Sequence, residues 1–165
     1  MSFSERHGDS YIEGDFSGLE ELVKNLGEKF YTDVGILGSE TDSESGLTIA
    51  GIGAVHEFGT DRAGRGNKTV IPKRSFIKMP LEKKAGSIQS EVESNFQNRM
   101  DNADIKGVFQ DIGIACEGAI QDAFDSGGFG EWPANAEPTV DRKGSASPLI
   151  DQGVLRKSIT SKVGK

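Results

Sequence analysis

Catalytic chemistry in this chain would have to come from few residues, because histidine and cysteine are scarce. The sequence holds two histidines, His7 and His56, and one cysteine, Cys116. His56-Glu57 begins as a zinc-protease signature does, but no second histidine follows four residues later, and no other cluster has metal-ligand spacing. We therefore expect His56 to form local hydrogen bonds near a helix end and Cys116 to be a reduced, buried thiol.

Three further patterns begin a functional site without completing it. Gly51-Ile52-Gly53 lacks the valine-rich strand that precedes a dinucleotide fingerprint, and the segment 64–69 lacks the adjacent glycine, lysine and threonine of a phosphate loop. Asp122 and Asp125 are explained better by a solvated helix end than by a catalytic carboxylate pair. Because no nucleophile, base and orienting group form a set, we expect no enzymatic activity, no metal and no cofactor.

Charge alternates in blocks along the chain, whose net charge is −7. The segment 61–84 carries 2 acidic and 8 basic residues, whereas 1–60 carries 12 acidic and 3 basic. Such blocks are compatible with solvated faces. They are equally compatible with a basic surface that docks on the acidic face of a neighbouring copy or partner. Nucleic-acid binding is disfavoured, because phosphate repels an acidic chain and the basic block lacks interleaved aromatic residues.

Apolar periodicity predicts the elements that carry these residues. Helices are predicted at 17–29, 48–57, 74–83, 85–101 and 105–125, with a helical turn at 153–157. The segment 105–125 has the widest apolar stripe and is expected to be the core helix. Short strands are predicted at 31–37, 70–71 and 158–163.

These elements predict a small α+β domain, in which a few short antiparallel strands are packed by three to four helices. Long loops are expected at about 59–70 and 126–147, where glycine and charge are frequent. Residues 1–14 lack periodicity and are expected to form a flexible N-terminal arm, followed by a single domain over 15–165. No apolar run approaches the roughly 20 residues of a membrane span, so no membrane contact is expected.

Two parts of the chain resemble a known family. Ala-Val-His-Glu-Phe-Gly-Thr at 54–60 and Ile-Pro-Lys-Arg-Ser-Phe-Ile at 71–77 are followed by Trp132-Pro133 and by Pro-Leu-Ile-Asp-Gln-Gly-Val-Leu-Arg-Lys-Ser-Ile at 148–159. This order is similar to the "HEFGT … IPxRxF … WP … PLIDTGxLxxSI" pattern of tail-completion and virion-morphogenesis proteins of tailed bacteriophages. Gln152 departs from the usual Thr and Ser75 from the frequent Pro. The resemblance covers about 47–80 and 128–162.

The resemblance implies a structural protein of the phage neck that joins head to tail as an oligomeric ring. The implied partners are further copies of the chain, neighbouring neck, connector and tail proteins, and genome DNA in the channel. The chain would be located in the virion after assembly in the bacterial host cytoplasm. The alternatives are a module that contacts nucleic acid at the portal or neck channel and a tail-tube terminator that controls tail length. Assembly contacts are expected at Glu57, Phe58, Gly59, Arg62, Arg65, Lys73, Arg74, Phe76, Trp132, Leu149 and Arg156.

Overall fold

The computed structural model of the chain describes residues 3–7, 10–14, 17–43, 45–64, 66, 68–150 and 153–165. The helices within these residues are α1 (Ser17–Leu26), α2 (Ile49–Phe58), α3 (Lys78–Lys83), α4 (Ala85–Asp101), α5 (Ile105–Asp125), α6 (Glu137–Lys143) and α7 (Val154–Lys157). The strands are β1 (Phe3–His7), β2 (Ser10–Gly14), β3 (Tyr31–Ile36), β4 (Thr60–Ala63), β5 (Thr69–Ile71) and β6 (Ile159–Gly164). They pair antiparallel as β1-β2, β3-β6 and β4-β5. The predicted α+β fold class is confirmed.

Helix α5 is the centre of the core, as its wide apolar stripe predicted. The side chain of Asp104 caps its first turn by accepting a hydrogen bond from the backbone N–H of Gly107 at 2.9 Å. The buried core consists of Ile49, Phe76, Ile120, Ala123, Phe124, Trp132, Leu155 and Ile159. Both boundaries of α5 agree with the predicted range.

The β3-β6 sheet crosses α5 at a glycine. Thr32 Oγ1 donates a hydrogen bond to the carbonyl of Phe109 at 2.7 Å. A Cβ atom at Gly113 would lie 2.4 Å from Ser161 Oγ, which is closer than side chains tolerate. The sheet therefore lies directly on the helix, and only glycine fits at position 113.

Helix α4 covers a second side of α5. Arg99 joins the two helices, because its guanidinium bonds to Asp111 at 2.8 and 3.0 Å and to Asp104 at 2.7 Å. No α4 residue is fully buried, so the helix lies on the surface with its polar faces in solvent. The predicted bounds of α4 are also confirmed.

Four predicted segments need correction. The expected loop at 59–70 contains the hairpin β4-β5, and the expected loop at 126–147 contains α6. Pro138 near the start of α6 and Gly144 in the left-handed conformation at its end explain that helix, since proline suits a first turn and glycine a helix end. Helix α1 ends at Leu26, just before Gly27, and not at residue 29. Helix α3 begins at Lys78 and not at residue 74.

The N-terminal segment contains backbone structure that the sequence did not predict. Residues 3–7 and 10–14, expected to belong to a flexible arm, pair with each other as a hairpin with Phe3 opposite Gly14. The division of the chain into an arm and a domain stays a prediction.

Substitution of Ile120 by alanine tests the position of the core. Ile120 is 0% exposed, and Ile120→Ala should lower the free energy of unfolding by about 2–5 kcal/mol because it leaves a cavity. Ile114→Ala on the same helix is the matched control, since Ile114 is 60% exposed and its loss should change stability by about 0.5 kcal/mol or less. Urea unfolding followed by circular dichroism measures both, and equal midpoints for the two variants would contradict this core.

Candidate functional site

Helix α2 ends at a position that requires glycine. Thr48 caps the start of the helix by accepting from the N–H of Gly51 at 3.1 Å. At the other end Gly59 adopts φ 75° and ψ 167°, a region of backbone conformation that is essentially limited to glycine. A Cβ atom there would also lie 2.8 Å from the backbone nitrogen of Lys73. The backbone at the end of α2 therefore lies in close contact with the backbone of Lys73, which follows β5.

Glu57 is a buried carboxylate with four hydrogen-bond donors. Its side chain is 7% exposed. Oε2 accepts from the N–H groups of Phe76 and Ile77 at 2.7 and 2.9 Å, and Oε1 accepts from Ser75 Oγ and the N–H of Lys78 at 2.6 and 3.2 Å. These donors stand at the start of α3, where a helix has N–H groups without partners and favours negative charge. Glu57 therefore ties the end of α2 to the start of α3.

Arg74 is buried beside this carboxylate network. Its Nε and Nη2 atoms donate to the carbonyls of Pro133 and Ala134, each at 2.8 Å, and its backbone N–H donates to the carbonyl of His56 at 2.8 Å. The Arg74 side chain is 5% exposed, and burial lowers the pKa of its guanidinium. Arg74 thereby binds the backbone of the segment after Trp132 to the end of α2.

Trp132 completes the same cluster. Its indole Nε1 donates to the carbonyl of Ser75 at 3.0 Å, and its ring meets Phe124 edge to face with centroids 5.5 Å apart. We call Glu57, Arg74, Ser75 and Trp132, with the backbone that they hold, the brace. The brace joins residues from both parts of the sequence resemblance.

The brace supports a surface that carries cations and exposed apolar side chains. We call residues 58–73 the basic hairpin, which contains β4 and β5. Phe58 is 73% exposed and Val70 is 68% exposed. The exposed cations of the basic hairpin are Arg62, Lys68 and Lys73. Arg62 contacts Asp61 at 3.8 Å with both side chains about 80% exposed, so this pair contributes little to stability.

The structure corrects four of the expected assembly residues. Glu57, Arg74, Phe76 and Trp132 are buried within the chain, and Phe76 is 0% exposed. Their side chains are occupied by internal contacts and are not available to a neighbouring subunit. The sequence did not reveal this, because a charged residue becomes buried only when distant donors or acceptors surround it.

The remaining expected residues differ in their environments. Phe58, Arg62 and Lys73 are exposed, and Gly59 connects α2 to the basic hairpin. Leu149 packs against the core, and Arg156 bonds to Asp125 and Gln121. Arg65 lies outside the described residues. An assembly contact therefore stays a prediction for the exposed residues of the basic hairpin.

His56 lies near Arg74 of the brace, and one nitrogen of its ring lacks the local hydrogen bond that was expected. Its Nδ1 atom is buried and has no hydrogen-bond partner among the described residues. The pKa of the imidazole is lowered below 6.5, first because burial disfavours the charged form and then because Arg74 and Lys143 repel a further positive charge. His56 is therefore neutral at pH 7.

The other groups considered for chemistry are a thiol and two carboxylates that contact cations. Cys116 is a partly buried free thiol whose pKa is raised by burial, which keeps it protonated. Asp122 contacts Lys84 at 3.5 Å, and Asp125 contacts Arg156 at 2.7 Å. No group of three or more potential metal ligands occurs among the described residues. Nor does any helix among them combine the length and apolar character needed to cross a membrane.

Comparison of the chain with protein-family models, with curated proteins and with solved structures gives no match. The resemblance to phage tail-completion proteins thus rests on the quoted sequence segments alone.

Substitution of Glu57 tests the brace. Glu57→Gln replaces an acceptor oxygen by a donor group and removes the charge, and each buried donor left unpaired costs about 1–3 kcal/mol. We expect the free energy of unfolding to fall by roughly 3 kcal/mol. The matched control is Glu82→Gln, since Glu82 is 66% exposed and meets Lys78 only at 3.7 Å. Urea unfolding measures both variants, and a Glu57→Gln variant as stable as the wild type would show that the carboxylate does not hold the brace.

The lowered pKa of His56 predicts a pH dependence of stability. Between the folded pKa and about 6.5, the unfolded chain binds more protons, so the free energy of unfolding rises with pH. The stability that neutral His56 contributes is fully present above about pH 6.5 and is lost as the pH falls through the folded pKa. The free energy of unfolding changes over this range by at most about 1.4 kcal/mol per pH unit. His56→Gln should remove this part of the slope of the free energy of unfolding against pH. Urea unfolding at a series of pH values measures this slope. The same dependence of the free energy of unfolding on pH in the wild type and in His56→Gln would contradict the role of His56.

Proposed function

We propose that this chain is a structural protein of a tailed-bacteriophage neck, which completes the tail and joins it to the head as a ring of identical copies. It acts by contact and carries out no reaction. Its location is the head–tail junction of the virion, which it reaches after assembly in the bacterial host cytoplasm. Its partners are further copies of itself and the adjacent neck, connector and tail proteins.

The observation that carries this proposal is the braced basic hairpin. A hairpin held at both ends by the brace presents Phe58, Arg62 and Lys73 to solvent. Exposed aromatic and arginine side chains are frequent anchors of protein interfaces. The residues that carry the family resemblance supply the brace, so the resemblance and the exposed surface belong to one local structure.

A preformed hairpin favours docking on entropic grounds. Strands β4 and β5 pair within the chain, with Thr60 opposite Ile71. Association then orders fewer residues than docking of a mobile loop, which reduces the entropy cost of binding. The structure thus offers a paired hairpin at the place where a long loop was expected.

A second candidate function is contact with genome DNA in the neck channel. The exposed cations Arg62, Lys68 and Lys73 favour it, since phosphate contacts come chiefly from lysine and arginine. DNA affinity that falls steeply with salt would support this function, and absence of binding at low salt would remove it.

Electron microscopy of lysates from the parent phage lacking this gene tests the proposed neck function. We expect filled heads beside separate, full-length tails, and rescue by the wild-type gene. An Arg62→Glu, Lys73→Glu double variant should fold, since both side chains are exposed, but should fail to rescue joining because its charge repels the partner surface. Arg74 is left unchanged because its reversal would place an unpaired charge in the interior.

The matched control is the Lys24→Glu, Lys106→Glu double variant, which makes the same change of charge at exposed sites on α1 and α5. It should restore infectious particles. Overlong or irregular tails in the deletion lysate would favour a tail terminator. Intact infectious particles without the gene would exclude a role in joining.

A further inference from the structure

A cleft opens at the N-terminal end of α2. Its volume is about 410 Å³, within the range of protein sites that enclose a ligand or an inserted side chain. Ile36, Ile49 and Val154 contribute apolar lining, and Glu40 and Lys157 contribute one charge of each sign. Val154 is 41% exposed, so part of the apolar lining is in contact with solvent. The cleft can therefore bury an apolar group offered from outside.

The most exposed large apolar side chain of the described residues lies at the other end of the same helix. Phe58 is the last residue of α2 and is 73% exposed, whereas Ile49, the first residue, is 4% exposed and lines the cleft. Nine steps of 1.5 Å separate their Cα atoms by about 14 Å along the helix axis. Because the brace fixes the end of α2, Phe58 cannot enter the cleft of its own chain.

Charge complementarity indicates which molecule supplies the group that fills the cleft. The segment 38–46, which includes the cleft residue Glu40, carries three acidic residues and no basic one. The segment 60–73, which follows Phe58, carries four basic residues and one acidic one. A second copy of the chain thus offers an aromatic side chain flanked by cations to a partly apolar cleft, which has the acidic segment 38–46 on one side and Lys157 as the one cation of its lining.

We propose that Phe58 of one copy inserts into the cleft of the next copy, with the basic hairpin against the acidic segment 38–46. This inference rests on the proposed function and names the contact that would build the ring. The two surfaces lie at opposite ends of α2. In the head-to-tail arrangement that a ring requires, each copy engages a given neighbour through one end of α2 only, so every pair keeps one free surface of each kind and the contact extends to a closed ring or a filament. Reciprocal insertion in an antiparallel pair would instead stop at a symmetric dimer, which sedimentation distinguishes and which would overturn the ring.

Sedimentation of the purified full chain over a concentration series tests this contact. The wild type should self-associate. Phe58→Ala, which removes the inserted side chain, and Val154→Arg, which fills the cleft with a charged group, should each raise the dissociation constant about 30-fold or more, corresponding to about 2 kcal/mol. The matched control is Ile114→Ala, another exposed apolar truncation, which should associate as the wild type does. Circular dichroism confirms that each variant is folded.

A mixture of the two variants gives the sharpest result. Phe58→Ala keeps an intact cleft and Val154→Arg keeps an intact Phe58, so an equimolar mixture should form heterodimers that cannot grow further. A wild type that stays monomeric at about millimolar concentration, a Phe58→Ala variant that associates normally, or a mixture without heterodimers would overturn the contact. None of these results would decide the neck function, which the deletion lysate tests independently. Loss of particle joining with normal association of Phe58→Ala would mean that the chain acts in the neck through a different surface.

Discussion

The rest of the site depends on the carboxylate of Glu57, which lies in the interior and accepts four hydrogen bonds from residues 75–78. A buried carboxylate without donors would be strongly unfavourable, so the end of α2 and the start of α3 are stable only together. The described residues between the two helices leave α2 at Gly59 and return to α3 through residues 74–77. Arg74 and Trp132 attach the segment 132–134 to the same point. One charged group thereby organises three stretches of chain.

Four of the residues in the segments that carry the resemblance are internal. Glu57, Arg74, Phe76 and Trp132 are buried, whereas Phe58, from the same segments, is exposed beside the cations of the basic hairpin. A rigid base beneath an exposed hairpin suits a protein that acts by association, because little conformational freedom is lost on docking.

The sequence predicted those parts of the fold that local periodicity determines. Helices α4 and α5 have the predicted bounds because their apolar residues repeat over 17 and 21 residues. Strand β4 was missed because four residues are too few to display an alternating pattern, whereas β5 was predicted at 70–71 and begins one residue earlier. Helix α6 had a usable signal in Pro138 and Gly144. The burial of Glu57 and Arg74 had none, since their partners lie 18 to 60 residues away in sequence.

A cryo-electron microscopy reconstruction of the neck of the parent phage would test the central claim most directly. The account predicts a ring of this chain at the head–tail junction, with the brace intact inside each copy and the basic hairpin of each copy against the next. A ring in which the basic hairpins face solvent and the subunits meet through other surfaces would contradict it, as would a neck from which the chain is absent.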